Sequence, residues 1–426
     1  MTKTTQEAQW LLRAGRIEEA EQAFTRVLNE SPFDLQALTI VALAAIRLGH
    51  FYRARDLLKR AVAVSPDHAA SHHHLGRAEE LIGNLEQARQ CYQRATALNA
   101  QLPAARLHLA AVLEKLEESH GALIQYSRVM ADMQQQGKWL DQATTPPALQ
   151  PLVAHAAQVV RGGRRALYFG LLEPLVAEFG RSELGRIEQM LRIHLNEEAP
   201  AYADERQQPT FLYCPDLPTT PYFELALIPE LEEFAEQTPH IQSELQALLT
   251  SNQGSNEIVF SSPDVAAQNL RGYHGDPGWS GYYFYRHGER RDVNCAACPV
   301  SSAALDQLPL CRVEAHGPEV LFSVFTPGTH LLPHRGVTNT RVVGHLPLIV
   351  PENCALRVGG VEHVWQEGRV VVFDDTYEHE AWNRSNEMRV VLIFDLWNPH
   401  LTEVERAAVA RLVHAIGEFR SAMEAA

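Results

Sequence analysis

Two histidines lie in short stretches whose residue types could bind a metal ion. His379 lies among acids and aromatics in FDDTYEHEAWN, and His334 lies in PGTHLLPHRGVTNTR. Between Glu378 and Glu380, His379 could also be a surface residue or the partner of a charge. A metal ion inside a small β-barrel is bound by side chains of neighbouring strands, which are tens of residues apart in sequence. The two histidines are therefore a candidate pair of metal ligands.

A third candidate, Arg389, stands among apolar residues in MRVVLIFDLW. Burying a cation without a partner costs several kcal/mol, so this arginine should meet an acid of the protein or of a ligand. The guanidinium fork donates two parallel hydrogen bonds to a carboxylate. Arg389 is therefore a candidate for binding a carboxylate ligand.

The elements that position these residues are predicted to be β-strands. From about residue 319 the chain consists of short β-branched runs between turn residues: EVLFSVF, TRVVGHLPLIV, CALRVGG, GRVVVFDD and MRVVLIFDLW. Such strands with Pro/Gly punctuation predict a sandwich or barrel. His334 is expected in a turn between strands, and His379 at the start of a strand.

Three motifs in this region, PH-x-G-x-x-N, FDD-x-x-EHE-x-W and R-x-x-x-x-x-D-x-W, follow each other within residues 327–397. In this order they resemble the aspartyl/asparaginyl β-hydroxylase family of Fe(II)- and 2-oxoglutarate-dependent oxygenases. The resemblance covers roughly residues 270–405. It implies a double-stranded β-helix of the jelly-roll or cupin type with flanking helices, and it implies Fe(II), 2-oxoglutarate and O2 as cofactor and cosubstrates.

The resemblance also implies roles for individual residues. His334 and His379 would be the iron ligands, and Arg389 would bind the distal carboxylate of 2-oxoglutarate with help from Ser323. His345 would lie near the other end of the cosubstrate. Trp279, in GDPGWSGYYFY, would be the aromatic residue beside the pocket.

Two positions depart from other oxygenases. Non-haem Fe(II) oxygenases usually have a carboxylate two residues after the first histidine, where this chain has Gly336. Members of the resembled family share this glycine, so the resemblance implies two protein ligands for the iron; Asp374 or Asp375 could supply a distant carboxylate or cap backbone amides instead. Some relatives have an arginine two residues before the strand histidine. This chain has Val343 there, and Arg341 is expected to substitute because strand alternation puts it on the same face.

The first third of the chain repeats with a fixed period. Four series of positions recur at 34-residue spacing: Gly15, Gly49 and Gly83; Ala20, Ala54, Ala88 and Ala122; Phe24, Leu58, Tyr92 and Tyr126; and, in step, Pro32 and Pro66. This is the length of a helix-turn-helix unit whose small residues lie at the helix crossing. The pattern resembles tetratricopeptide repeats and predicts a solenoid of three to four, the last degenerate because Glu117 replaces the turn glycine.

Stacked helical hairpins form a groove that commonly binds a peptide or a protein. The repeats could instead serve only for dimerisation or packing. The triplet His72-His73-His74 lies on a repeat helix, where successive side chains point in different directions. It is therefore expected to line the groove or face solvent rather than bind a metal ion.

The domain boundaries follow from composition. The repeats are predicted in residues 1–135, a helical extension in residues 136–205 and the oxygenase domain in residues 206–426. The last domain begins near a segment rich in proline and aromatic residues. In the last domain, Cys295 and Cys298 have the spacing of a zinc or redox site. A second such pair is missing, so buried thiols are expected.

The bulk composition excludes several classes. A formal net charge of -15 argues against binding nucleic acid, whose phosphates need a Lys/Arg-rich surface. No run of about 18 apolar residues and no secretory signal is present, so neither a membrane nor export is expected. Six cysteines are too sparse for a disulfide scaffold, which fits the cytoplasm.

The expected function is therefore a 2-oxoglutarate-dependent dioxygenase that hydroxylates a side-chain carbon of a peptide or protein, which the repeats present. Succinate and CO2 would be the co-products. The alternatives are a hydroxylase of a free amino acid, natural product or lipid, a cupin-like isomerase, and a repeat-based interaction protein without catalysis. The oligomeric state stays open.

Overall fold

The computed structural model describes residues 3–251, 257–258, 269–271 and 278–426. Residues 275–277, which precede Trp279 in its motif, lie outside them. The chain divides into two compact units. One comprises Met1–Arg165 with Phe419–Ala426, and the other Ala166–Glu418. The boundaries expected near residues 135 and 205 stay a prediction.

Four helical hairpins fill residues 3–135. Their helices are α1 (Lys3–Arg13), α2 (Ile17–Glu30), α3 (Leu35–Arg47), α4 (Phe51–Val64), α5 (Ala69–Ile82), α6 (Leu85–Leu98), α7 (Pro103–Lys115) and α8 (Ser119–Gln135). The repeated alanines and the repeated large side chains are all buried. In each hairpin the turn has one residue with positive φ, namely Gly15, Gly49, Gly83 and Glu117. Repeats were predicted from this spacing, and four of them are confirmed.

Helices continue through the middle of the chain, as expected. They are α9 (Gln150–Phe179), α10 (Gly185–His194), α11 (Glu230–Glu236) and α12 (Thr238–Ser251). Three further helices lie in the second half of the sequence: α13 (Asp292–Ala297), α14 (Pro299–Asp306) and α15 (Glu403–Ala425). Within the described ranges, none of the helices has the length and apolar character that crossing a bilayer requires.

The second unit contains two antiparallel sheets. Its strands are β1 (Tyr222–Phe223), β2 (Glu257–Ile258), β3 (Leu270–Arg271), β4 (Trp279–Arg286), β5 (Glu289–Arg290), β6 (Val320–Phe325), β7 (His330–His334), β8 (Arg341–Ile349), β9 (Cys354–Val358), β10 (Val361–Val364), β11 (Val371–Phe373), β12 (His379–Asn383) and β13 (Arg389–Trp397). Among the described residues the larger sheet has the order β1-β11-β8-β13-β6-β4-β2, with β5 paired to β4. The smaller has the order β10-β9-β12-β7-β3. The predicted fold class, repeats followed by a jelly-roll type β domain, is confirmed.

Strand alternation sorts the side chains of the larger sheet into two cores. On β8, Val342 and Leu346 pack with the helices α11 to α14, whereas Val343 packs in a second core shared with the smaller sheet. Side chains two positions apart share a face of a strand. His345 therefore faces the core between the sheets together with Val343, and on β13 Arg389 faces it together with Val391.

Candidate active site

The two histidines meet across neighbouring strands of the smaller sheet. His334 is the last residue of β7, His379 is the first residue of β12, and the two are opposite each other in the strand pairing. Their ring centroids are 4.0 Å apart. The expectation that His334 lies in a turn was wrong, because pairing with β12 extends the strand to this residue. His379 begins a strand, as expected.

Backbone carbonyls fix the orientation of both imidazoles. His334 Nδ1 lies 2.8 Å from the Leu332 oxygen, and His379 Nδ1 lies 3.1 Å from the Tyr377 oxygen. A carbonyl can only accept, so each Nδ1 carries a proton, and in the neutral tautomer that this allows, the lone pair is on Nε2. Burial, with a smaller contribution from the charge of a protonated His334, lowers the pKa of His379 to about 3. Two neutral nitrogens with their protons held elsewhere fit a bound metal ion.

The space beside Gly336 is taken by a carboxyl group from another part of the chain. A Cβ built on Gly336 would lie 2.1 Å from Asp375 Cγ, so any side chain there would overlap Asp375. The Gly336 amide donates to the Asp375 carbonyl at 2.7 Å. Asp375 Oδ1 is buried and without a hydrogen-bond partner among the described residues. In the same part of the chain, no three His, Cys, Asp or Glu side chains are close enough together to hold a metal ion.

Arg389 is a buried cation that no described acid neutralises. Its side chain is 1% exposed, and its Nη1 donates to Ser323 Oγ and to the Ser323 carbonyl, at 3.3 Å each. Desolvation lowers its pKa to about 9. Trp279 Nε1 donates to the same hydroxyl at 2.9 Å. Ser323 Oγ thus accepts two hydrogen bonds, and its own proton remains available for a ligand. A ligand carboxylate would provide the missing negative charge.

His345 lies close to aromatic neighbours of both Arg389 and His379. Its ring centroid is 5.0 Å from that of Phe373, which is 5.6 Å from that of His379. Burial, with a contribution from the charge of Arg389, holds the pKa of His345 well below its usual value. The ring is therefore neutral, and its buried Nδ1 is without a partner among the described side chains.

Arg341 lies in the same domain as Arg389, but two acids of the protein neutralise its charge. It pairs with Asp375 at 2.8 Å and with Asp395 at 2.5 Å. Burial alone would lower the pKa of Arg341, but the charges of the two carboxylates outweigh burial and raise it. Its expected role in binding the cosubstrate stays a prediction, and the pairing gives that role no support.

Other residues have structural surroundings. Asp374 accepts hydrogen bonds from the amide and hydroxyl of Thr376 and caps the turn, as expected for an acid there. Cys295 and Cys298 are free, buried thiols, which also agrees with expectation. The sequence motifs predict no role for Trp365, which precedes the motif FDD-x-x-EHE-x-W in the chain. Its indole is 4.5 Å from the Arg389 guanidinium, measured from ring centroid to Cζ.

Comparison with known proteins shows matches to two protein families. The family model described as aspartyl/asparaginyl beta-hydroxylase matches residues 235–399, and a tetratricopeptide repeat model matches residues 42–103. The chain is 31% identical over 254 residues to mouse (Mus musculus) aspartate beta-hydroxylase domain-containing protein 2, a match that covers 58% of this chain and 70% of that protein. This chain belongs to the aspartyl/asparaginyl β-hydroxylase family.

Two further proteins resemble the chain over different lengths. The human (Homo sapiens) aspartyl/asparaginyl beta-hydroxylase is 35% identical over 132 residues, which are 31% of this chain but 17% of that protein. The ornithine lipid ester-linked acyl 2-hydroxylase of Rhizobium tropici is 35% identical over 182 residues, 42% of this chain and 61% of that protein. This chain thus spans less than two thirds of either of these two relatives.

Proposed function

We propose that the chain is an Fe(II)- and 2-oxoglutarate-dependent dioxygenase that hydroxylates a side-chain carbon of a peptide or protein, releasing succinate and CO2. One observation carries the proposal. His334 and His379 lie opposite each other with their rings 4.0 Å apart, and both Nδ1 protons are held by backbone carbonyls. Two imidazoles with free Nε2 lone pairs suit a divalent transition metal.

The residues of the candidate site would have separate roles in binding the metal ion and the cosubstrate. His334 and His379 would hold the ferrous ion. With 2-oxoglutarate and O2 bound, the ferrous ion would supply the coupling of keto-acid decarboxylation to insertion of one oxygen atom into a C–H bond. Arg389 and Ser323 would bind the distal carboxylate of 2-oxoglutarate, since the arginine is otherwise a buried cation without an acid among the described residues.

The surrounding apolar side chains would exclude water. Phe325, Val343, Trp365, Phe373 and Val391 are buried in the core between the two sheets. Electrostatic interactions are stronger where water is excluded, so a carboxylate would bind Arg389 more tightly there than at the surface. The same walls would keep a reactive centre away from solvent.

A peptide or protein substrate is favoured by the four repeats, because stacked helical hairpins commonly bind peptide segments. A lipid is the second candidate, favoured by the 35% identity to ornithine lipid ester-linked acyl 2-hydroxylase. The two substrates differ in the molecule that would gain an oxygen atom.

The test is substrate capture by mass spectrometry. The purified chain is incubated with Fe(II), 2-oxoglutarate and either a peptide digest or a lipid extract. Succinate is measured, and products are searched for a gain of about 16 Da, the mass of one inserted oxygen atom. We expect succinate together with hydroxylated peptides, and neither with His379→Ala. The exposed histidine of α12 provides the control His240→Ala, which should be active. Hydroxylation of lipids alone would overturn the peptide substrate, and absence of succinate with both mixtures would overturn the oxygenase.

A further inference from the structure

The indole of Trp365 is a buried hydrogen-bond donor that nothing in the described structure satisfies. Trp365 lies between β10 and β11 and is 3% exposed. Its Nε1 is buried and has no hydrogen-bond partner among the described residues. An indole nitrogen can donate but not accept, so only an acceptor can satisfy it. Buried N–H groups normally have such a partner.

Two other buried nitrogen atoms without partners surround the same spot. Arg389 Cζ is 4.5 Å from the centroid of the Trp365 ring and 3.9 Å from that of Phe325, and its Nε is without a partner. His345 has its ring centroid 5.8 Å from that of Trp365, and its Nδ1 is also without one among the described residues. Three nitrogen atoms from different segments, on Arg389, Trp365 and His345, thus have no hydrogen-bond partner among the described residues of one apolar core.

A carboxylate is the chemical group that suits this arrangement. It carries the negative charge that Arg389 lacks and has two oxygens, which together offer about four acceptor positions. Ser323 Oγ accepts hydrogen bonds from both Arg389 and Trp279, so its hydroxyl proton also points to an acceptor outside these partners. Among the described side chains, Arg389 Nε and Trp365 Nε1 are therefore donors without an acceptor in the same core.

We propose that Trp365 is a positioning residue for the dicarboxylate cosubstrate: its indole N–H donates to an oxygen of the distal carboxylate, while its ring packs on the guanidinium of Arg389. The inference rests on the proposed function, because 2-oxoglutarate would be the ligand. It adds a donor beyond the arginine and the serine that the family resemblance implies. It also explains why a tryptophan, rather than a phenylalanine, stands against the arginine.

The test compares Trp365→Phe with the wild-type chain, both loaded with Zn(II) so that no turnover occurs. Phenylalanine keeps an aromatic ring beside Arg389 and removes the N–H. Calorimetry should show affinity for 2-oxoglutarate reduced about tenfold, the effect of losing one hydrogen bond to a charged group. Affinity for 2-oxobutanoate, which has no distal carboxylate, should be unchanged. Trp382→Phe is the matched control, because Trp382 is equally buried and lies over Arg384 instead.

A second readout separates a hydrogen bond from mere packing. In a nitrogen-15 NMR spectrum of the Zn(II)-loaded chain, the Trp365 indole resonance is identified by its absence from Trp365→Phe. It should shift when 2-oxoglutarate is added and not when 2-oxobutanoate is added. If the wild-type chain binds 2-oxoglutarate while Trp365→Phe binds it equally well, or the resonance does not move, the role of Trp365 is refuted and the proposed function stands. If the wild-type chain does not bind 2-oxoglutarate, both proposals fail.

Discussion

Arg389 is the residue whose surroundings are most unusual for its chemistry. A fully buried guanidinium normally has a carboxylate partner, yet among the described residues it has a serine and two aromatic rings. Arg341, in the same domain, has two carboxylates. The contrast supports the proposal that Arg389 binds the carboxylate of a ligand, and it gives no such support to Arg341.

Arg389→Lys should therefore weaken cosubstrate binding while leaving the fold intact. Lysine keeps the positive charge but loses the planar fork that donates two hydrogen bonds to one carboxylate. We expect the KM for 2-oxoglutarate to rise about 30-fold, corresponding to about 2 kcal/mol for a hydrogen bond to a charged group. Initial rates of succinate formation measure it. The exposed Arg384 provides the control Arg384→Lys, and an equal rise in both variants would contradict the role.

Gly336 gives a second test at the residue scale. Alanine would place its Cβ 2.1 Å from Asp375 Cγ, in a buried region where the carboxyl group is already paired with Arg341. We expect Gly336→Ala to lower the free energy of unfolding by about 2 kcal/mol, as overpacking does. Urea unfolding followed by tryptophan fluorescence would measure the loss. Gly185→Ala is the control, because nothing lies within 4 Å of a Cβ there; equal stability of the two variants would count against the close packing at Gly336.

Residue identities were predictable from motifs, but their contacts were not. The sequence indicates His334, His379 and Arg389 because each stands in one of the three motifs that resemble those of the hydroxylase family. It does not reveal that Asp375 takes the space beside Gly336, since the two lie on different segments and meet only in the folded chain. Trp365 lies outside a strand, so no alternation rule indicates the direction of its indole.

At the scale of elements, the repeats depend on one backbone position in each hairpin. Gly15, Gly49 and Gly83 have φ values of 72, 79 and 95°, and Glu117 has 63° at the equivalent position. Glycine adopts this region without steric cost, whereas other residues are strained there. The fourth hairpin therefore forms the same turn with a less suitable residue.

Glu117→Gly should stabilise the repeats. Removing the strained side chain is expected to raise the free energy of unfolding of the helical part by about 1 kcal/mol. Gly83→Ala is the reciprocal variant: nothing lies within 4 Å of its Cβ, so only the backbone strain should cost about 1 kcal/mol. Helix unfolding in urea, followed by circular dichroism, measures both. Destabilisation by Glu117→Gly would show that the side chain contributes more than the strain removes.

The elements differ in how far sequence determines them. A period of 34 residues predicts the hairpins because every repeat is built from local contacts, and β-branched runs predict most strands. The order of strands within the sheets depends on pairings between distant segments, such as β7 with β12. That pairing made His334 the end of a strand where a turn was expected.

At the scale of the whole molecule, a helical-repeat region and a two-sheet β domain occur in one chain. Membership of the hydroxylase family follows from the match to the family model and from the 31% identity to a relative of which the chain covers 70%. The reaction and its substrate are proposals that rest on a few side chains in the β domain. The histidine pair is central among them, because each assigned role of the other residues presupposes a metal ion there.

Anaerobic Fe(II) binding is the measurement that tests this centre most directly. Equilibrium dialysis would be carried out on the wild-type chain, His334→Ala, His379→Ala and the control His240→Ala. We expect one iron per chain for the wild type and the control, and affinity at least about 100-fold lower for either of the other variants, since removing a ligand costs more than removing an outer-shell partner. Iron binding of equal strength in all four proteins would contradict the assignment of His334 and His379 as the metal ligands.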